Sequence, residues 1–132
     1  MTCKILFFDL KDCEQEYFNN CRFNSFDIKF FQDNFNNDIL KKLETDDFET
    51  RMMICTGEES QITSDMLMKF KNLRLIARRG ANCSNIDLQF CRDNNIAVIN
   101  VENNNGNCEK LLNATFAGMS SFLCGGKENR VV

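Results

Sequence analysis

The chain has 132 residues, the length of one domain, and a formal net charge of −3. An acidic chain has little general affinity for nucleic acid or anionic membranes, so any nucleic-acid contact needs a local basic patch. The sequence contains no histidine. This removes the commonest general base and metal ligand near neutral pH, and with it Ser-His-Asp, Cys-His and most zinc-hydrolase schemes. We therefore expect one domain without a metal site.

The eight cysteines include no C-x-x-C pair, and several stand in apolar runs. No signal-peptide pattern precedes them, so we expect reduced thiols that act as small core residues in a cytoplasmic protein. No apolar run approaches the roughly 20 residues that a membrane span needs. The sequence thus favours a protein without membrane association.

Strands and helices alternate along the chain. Short apolar runs predict strands, and capped amphipathic segments predict helices. The strands are expected at residues 3–8, 26–33, 51–57, 73–78 and 96–101. The helices are expected at residues 13–21, 36–44, 63–72, 84–95 and about 108–123, followed by a tail at 124–132.

This alternation predicts an α/β fold, because parallel strands need helical crossovers that cover both faces of the sheet. Five units in about 130 residues fit a flavodoxin-like, three-layer domain with strand order 2-1-3-4-5. We expect residues 1–132 to form this single domain.

Four stretches, "KILFFD", "FKNLRLIARRG", "NIDLQFCRDNNIAVINV" and "ATFAGM", resemble the substrate (catalytic) domain of the D-isomer-specific 2-hydroxyacid dehydrogenases, the D-lactate dehydrogenases among them. The corresponding family stretch reads LKLIATRSTGFDNIDL. The resemblance implies a domain that forms one wall of a cleft, with an NAD-binding Rossmann domain as the other wall. It also implies that the substrate-orienting Arg, the Glu and the proton-donating His lie in that second domain.

The 132 residues contain no G-x-G-x-x-G motif, so we expect no bound cofactor and no catalytic residue in this chain. The resemblance further implies that backbone amides of the turn after the fourth strand hold the substrate carboxylate. Asn82 replaces the family's glycine there, and its Cβ obstructs close backbone approach unless Asn82 is left-handed. In the next loop, Glu102 replaces proline and repels an anionic substrate. We interpret the following residues as a remnant substrate loop: Arg79, Gly80, Ala81, Asn82, Cys83 and Asn104.

Two further groups are candidate interaction surfaces. The basic cluster is either ordinary surface charge or a site for an anion or an acidic partner. The apolar side of the final helix is a candidate interface for a protein partner or for self-association. The basic cluster consists of Lys69, Lys71, Arg74, Arg78 and Arg79, and the apolar interface of Leu112, Phe116, Met119 and Phe122.

These observations predict a non-catalytic, protein-binding regulator or inhibitor derived from a substrate domain, for example a phage-encoded protein of the anti-CRISPR type. Hydride transfer needs a cofactor held against the substrate and a proton donor, and the chain supplies neither alone. The alternatives are a truncated or split NAD-dependent D-2-hydroxyacid (D-lactate) dehydrogenase, completed by a separate NAD-binding domain, or a 2-oxoacid sensor.

Overall fold

The computed structural model describes residues 3–20, 26–56, 60–79, 85–101, 113 and 115–119. Within these ranges, five strands form one sheet in the order β2-β1-β3-β4-β5, and every neighbouring pair is parallel. The strands are β1 (Cys3–Phe7), β2 (Phe26–Phe30), β3 (Met52–Thr56), β4 (Leu75–Arg79) and β5 (Ala97–Val101). The predicted strand order is confirmed.

Helical residues lie in each connection between successive strands. The helices are α1 (Asp12–Asn20), α2 (Asn37–Leu40), a 3-10 helix (Thr45–Glu49), α3 (Ser64–Leu67) and α4 (Leu88–Asp93). Residues 113 and 115–119 are also helical, and the rest of the predicted final helix lies outside the described residues. None of the helices within the described ranges is long and apolar enough to cross a membrane.

Both α2 and α3 are shorter than the sequence pattern predicts, because the chain tightens immediately after them. The amide of Lys42 bonds to the carbonyl of Ile39, and the amide of Phe70 bonds to that of Leu67. These are bonds to the third residue back, which close tight turns in place of further α-helical turns. The amphipathic spacing continues beyond each helix, but the α-helical hydrogen bonding does not.

Side-chain caps fix where three of the helices begin. Asn36 accepts a hydrogen bond from the amide of Ile39 at the start of α2, and Thr63 accepts one from Met66 at the start of α3. Asp87 caps α4 instead of the predicted start at residue 84. Each cap satisfies an amide that has no partner within its own helix.

The two faces of the sheet build two separate cores, because successive strand residues point to opposite sides. One face packs against α2, α3 and α4, and the other against α1 and residues 115–119. On the first face the strands contribute Leu6, Met53, Ile76 and Val98; on the second they contribute Ile5, Phe7, Met52, Leu75, Ala77, Ala97 and Ile99. The predicted arrangement with helices on both faces is confirmed.

Candidate functional site

The carboxyl edge of the sheet is the place where ligands bind in open α/β folds. Here Arg79, the last residue of β4, lies between Thr56 of β3 and Val101 of β5. One position earlier, Arg78 pairs in register with Asn100 of β5. The structure therefore brings the two arginines to the edge at which the sequence predicts a ligand loop.

Arg78 is fully buried, which is rare for an arginine. Its Nε donates a hydrogen bond to Asn85 Oδ1 at 3.3 Å, and the Asn85 side-chain amide donates to the carbonyl oxygen of Ser60. Ser60 Oγ in turn accepts a hydrogen bond from the amide of Phe35 at 3.1 Å. Arg78 thus connects β4 to the segments that follow β3 and precede α4.

These two segments also bond to each other directly. Ile62 and Ile86 form a parallel bridge. The Ile62 amide donates to the carbonyl of Asn85 at 2.9 Å, and the Asp87 amide donates to the carbonyl of Ile62 at 3.0 Å. Residues 60–62 and 85–87 are therefore held side by side, and the buried guanidinium stabilises the same junction.

Asn100 contributes the remaining polar group of this junction. Its Oδ1 is buried and accepts no hydrogen bond from the residues that the structure describes. Buried acceptors are normally paired. Asn100 is therefore an acceptor on β5 available to a ligand or to residues outside the described ranges.

The prediction that five basic residues form one patch is wrong. Lys69, Lys71 and Arg74 are exposed and precede β4, whereas Arg78 is buried at its other end. A five-residue strand spans about 16 Å, so the groups lie at opposite edges of the sheet. Arg79 also lies at the carboxyl edge, and its side chain is outside the described structure.

The other members of the remnant substrate loop, Gly80, Ala81, Asn82, Cys83 and Asn104, lie outside the described residues. Their assignment stays a prediction from the sequence.

The candidate apolar interface on the final helix needs a correction as well. Phe116 is 7% exposed and Met119 is fully buried, and both pack in this chain's own core. A Cβ on Gly118 would lie 3.2 Å from Ile99 Cδ1, which shows how closely the helix approaches the sheet. These side chains are therefore not available to a partner. Leu112 and Phe122 lie outside the described residues.

Sequence reasoning missed a polar cleft of about 540 Å³ beside the carboxyl ends of β1 and β2. Three carboxylates, Asp9, Asp33 and Asp38, line the cleft, and Lys42 of the same lining pairs with Asp33 at 3.2 Å. The other polar lining residues of the cleft are Gln32, Asn34 and Asn36. The excess of negative charge disfavours an anionic 2-hydroxy acid in this cleft. Among the described residues, no three Cys, Asp or Glu side chains are grouped so as to hold a metal ion.

Two cysteines with described side chains differ sharply in environment. Cys13 is exposed on α1, whereas Cys91 is fully buried on α4. Burial raises the pKa of the Cys91 thiol from 9.0 to about 11, with a smaller contribution from the Asp87 carboxylate. Since the thiolate is the nucleophile, Cys91 should be inert in the folded protein.

We expect iodoacetamide at pH 8 to alkylate exposed Cys13 of the folded protein on the order of 100-fold faster than buried Cys91, because burial both excludes the reagent and disfavours the Cys91 thiolate. Peptide mass spectrometry over a time course measures both rates. In urea the two rates should converge. Equal rates in the folded protein would contradict the burial of Cys91.

The family profile described as "D-isomer specific 2-hydroxyacid dehydrogenase, catalytic domain" matches residues 5–107, more than half of the chain. The fold is accordingly that of an α/β substrate domain. The chain belongs to the D-isomer specific 2-hydroxyacid dehydrogenase family through this catalytic domain. A search of curated protein sequences finds no match.

Solved structures share the fold. Apo D-lactate dehydrogenase from Escherichia coli is 19% identical with a TM-score of 0.61, over 74% of this chain and 30% of that one. D-Lactate dehydrogenase from Aquifex aeolicus, complexed with NAD and lactic acid, is 19% identical with a TM-score of 0.56, over 89% and 33%. NAD+-bound 3-phosphoglycerate dehydrogenase from Entamoeba histolytica is 15% identical with a TM-score of 0.56, over 76% and 33%. The chain thus spans about a third of the length of these relatives, and the likeness concerns the fold alone.

Proposed function

We propose that this chain is a non-catalytic relative of the family's substrate domain that binds a protein partner as a regulator or inhibitor. The observation that carries the proposal is the burial of Arg78. The family stretch LKLIATRSTGFDNIDL has threonine at this position. Here a guanidinium stands in its place and is bonded to the chain's own Asn85. The bond to Asn85 supports a role for this arginine in the fold rather than in binding an anionic substrate.

The sequence adds support at the same edge. Asn82 stands where the family has the glycine that admits the substrate carboxylate, and Glu102 adds negative charge to the next loop. These 132 residues contain neither a histidine nor a G-x-G-x-x-G motif. A proton donor and a cofactor site of the family's kind would therefore have to come from another polypeptide segment.

A second candidate function is the substrate lobe of a dehydrogenase whose NAD-binding domain lies elsewhere. The family match over residues 5–107 favours it, because this match includes the remnant substrate loop up to Asn104. On this alternative Arg79 still helps to bind a 2-oxoacid. A sensor that binds a 2-oxoacid without transforming it would also use Arg79 to bind that acid.

Calorimetric titration with pyruvate and D-lactate, together with an assay of NADH oxidation, separates these functions. We expect neither saturable binding heat nor NADH oxidation above the blank. Saturable pyruvate binding that disappears in Arg79→Ala but persists in Arg92→Ala, an exposed arginine on α4, would contradict the proposal and favour a sensor or a dehydrogenase lobe. NADH oxidation would establish the dehydrogenase directly.

A further inference from the structure

The amino edge of the sheet, opposite the ligand loop, carries a small groove of mixed polar and apolar lining between the end of α3 and α4. Its volume is about 250 Å³. Phe90 of α4 is half-buried at the groove, and Lys71 and Asn94 are its exposed polar lining residues. The buried apolar lining consists of Leu67, Phe70, Leu73 and Ile96.

Met68 also lines this groove and is 64% exposed. Among the described residues it is the one large apolar side chain that remains exposed. Small-molecule sites usually measure about 300–1,000 Å³, so the groove is too small for a typical cofactor and suits one large side chain of a partner. An exposed methionine beside it provides an adaptable contact surface for that side chain.

A basic segment borders the groove. Residues 68–74 contain Lys69, Lys71 and Arg74 and no acidic residue, and all three side chains are exposed. Arg51, also exposed, lies next to Arg74, whose amide bonds to the Arg51 carbonyl at 2.8 Å. None of these four cations forms an ion pair with a described residue.

Four lysines elsewhere on the described surface form ion pairs, whereas Lys11 forms none with a described residue. Lys4 and Lys29 contact Asp47, and Lys42 contacts Asp33. Asp65 on α3 and Asp93 on α4 are acidic residues of the two helices beside the groove, and Asp93 accepts a hydrogen bond from Gln89. Exposed Asp46 and Glu49 flank Phe48, whose ring packs against the groove residue Phe70. The locally basic part of the amino edge is therefore the segment 68–74, on a chain whose net charge is −3.

We infer that this surface, defined by Met68, Lys69, Lys71, Arg74 and the adjoining groove, is a docking site for an acidic segment of a protein partner that inserts one large apolar side chain. The inference rests on the proposed protein-binding function and adds the place and the chemistry of binding. Charge complementarity selects an acidic partner, and the groove selects an amphipathic one. A nucleic acid would use the cations but not the groove, and no exposed aromatic platform is described at this edge.

The test uses a labelled peptide with glutamates and with leucines at helical spacing, and a control peptide with serine in place of each leucine. Fluorescence anisotropy measures binding to the full chain. We expect the leucine peptide to bind at least about tenfold more tightly than the serine peptide, and its affinity to fall as salt is raised. Met68→Asp and the double variant Lys69→Glu/Lys71→Glu should each weaken binding at least about tenfold.

The control is Lys41→Glu/Lys42→Glu, which makes the same charge change at exposed positions directly after α2 and should bind like the unmodified chain. It also removes the ion pairs with Asp38 and Asp33, so the urea stability of every variant is measured beside its binding. Because all these side chains are exposed, the variants should fold normally. Three results would overturn the docking site. The first is equal binding by both double variants, and the second is absence of peptide binding. The third is tighter binding of a DNA duplex than of the leucine peptide. None of these results would contradict the proposed protein-binding function itself, because that function is tested separately by capture of a partner from cells.

Discussion

Replacement of Arg78 by alanine is expected to lower the free energy of unfolding by about 3 kcal/mol. The guanidinium is fully buried and bonded to Asn85, which in turn bonds to the Ser60 carbonyl. Its removal leaves a cavity at the carboxyl edge and deprives the partly buried Asn85 acceptor of its donor. The bridge between Ile62 and Ile86 keeps the surrounding segments from collapsing into the cavity. The loss of stability is therefore the sum of the cavity cost and the cost of the lost hydrogen bond.

Urea denaturation followed by circular dichroism measures this loss. Arg74→Ala is the matched control, because Arg74 is an exposed arginine at the other end of the same strand. The control should change stability by less than about 0.5 kcal/mol. If Arg78→Ala and Arg74→Ala were equally mild, Arg78 would be a surface residue, and the main support for the proposed function would be lost.

Replacement of Asp47 by alanine is expected to cost about 2 kcal/mol. The Asp47 carboxylate is buried, lies 3.0 Å from Lys4 Nζ and 2.9 Å from Lys29 Nζ, and accepts the amide hydrogen bond of Glu44 at 2.9 Å. It joins β1 and β2 to the 3-10 helix. Both lysines keep partial solvent access, 29% and 37%, so the cost stays below that of a fully buried pair. Asp46→Ala, an exposed neighbour, should change stability by less than about 0.5 kcal/mol in the same urea experiment.

The same carboxylate predicts a pH dependence. Burial alone raises the pKa of Asp47, but hydrogen bonds from Lys29, the Glu44 amide and Lys4 outweigh it and hold this pKa below 3.8. A pKa that is lower in the folded state contributes stability above the unfolded value and loses it as the pH falls through the folded value. The stability difference between the unmodified chain and Asp47→Asn should therefore shrink below about pH 3.8. A difference that stays constant down to pH 2 would contradict the network.

Much of the fold could be predicted from the sequence because its strands are continuous apolar runs. "RMMICTG" and "IAVINV" have the composition of strands covered on both faces, and both lie in the sheet. The 3-10 helix at Thr45–Glu49 was missed, since "TDDFE" has no amphipathic period. What holds it is the pairing of Asp47 with Lys4 and Lys29, which are distant in sequence.

The candidate site was harder to predict, for a related reason. Arg78 and Arg79 are adjacent in sequence and alike in charge, and nothing in the sequence marks Arg78 as buried. Only the tertiary contact with Asn85 reveals that Arg78 is buried. Grouping Arg78 with Lys69 and Arg74 by sequence distance likewise ignored the length of the strand between them.

The final helix also contains residues that the sequence predicts to be exposed and that are buried. Phe116 and Met119 have the spacing of an apolar surface, which we interpreted as an exposed interface. The second face of the sheet needs a covering layer, and these residues supply it. Among the residues that the structure describes, the large apolar side chain that is exposed is instead Met68, a single methionine in a turn that no periodic pattern distinguishes.

Protein binding in place of hydride transfer is tested most directly by cross-linking and affinity capture of the tagged full chain from the cells that express it, with quantitative mass spectrometry. Tagged chain carrying Arg78→Ala serves as the destabilised control for non-specific capture. The proposal predicts one protein that is captured reproducibly in near-stoichiometric amount and that has no NAD-binding domain. Capture of a protein with a G-x-G-x-x-G dinucleotide-binding domain, or of no reproducible protein at all, would contradict it.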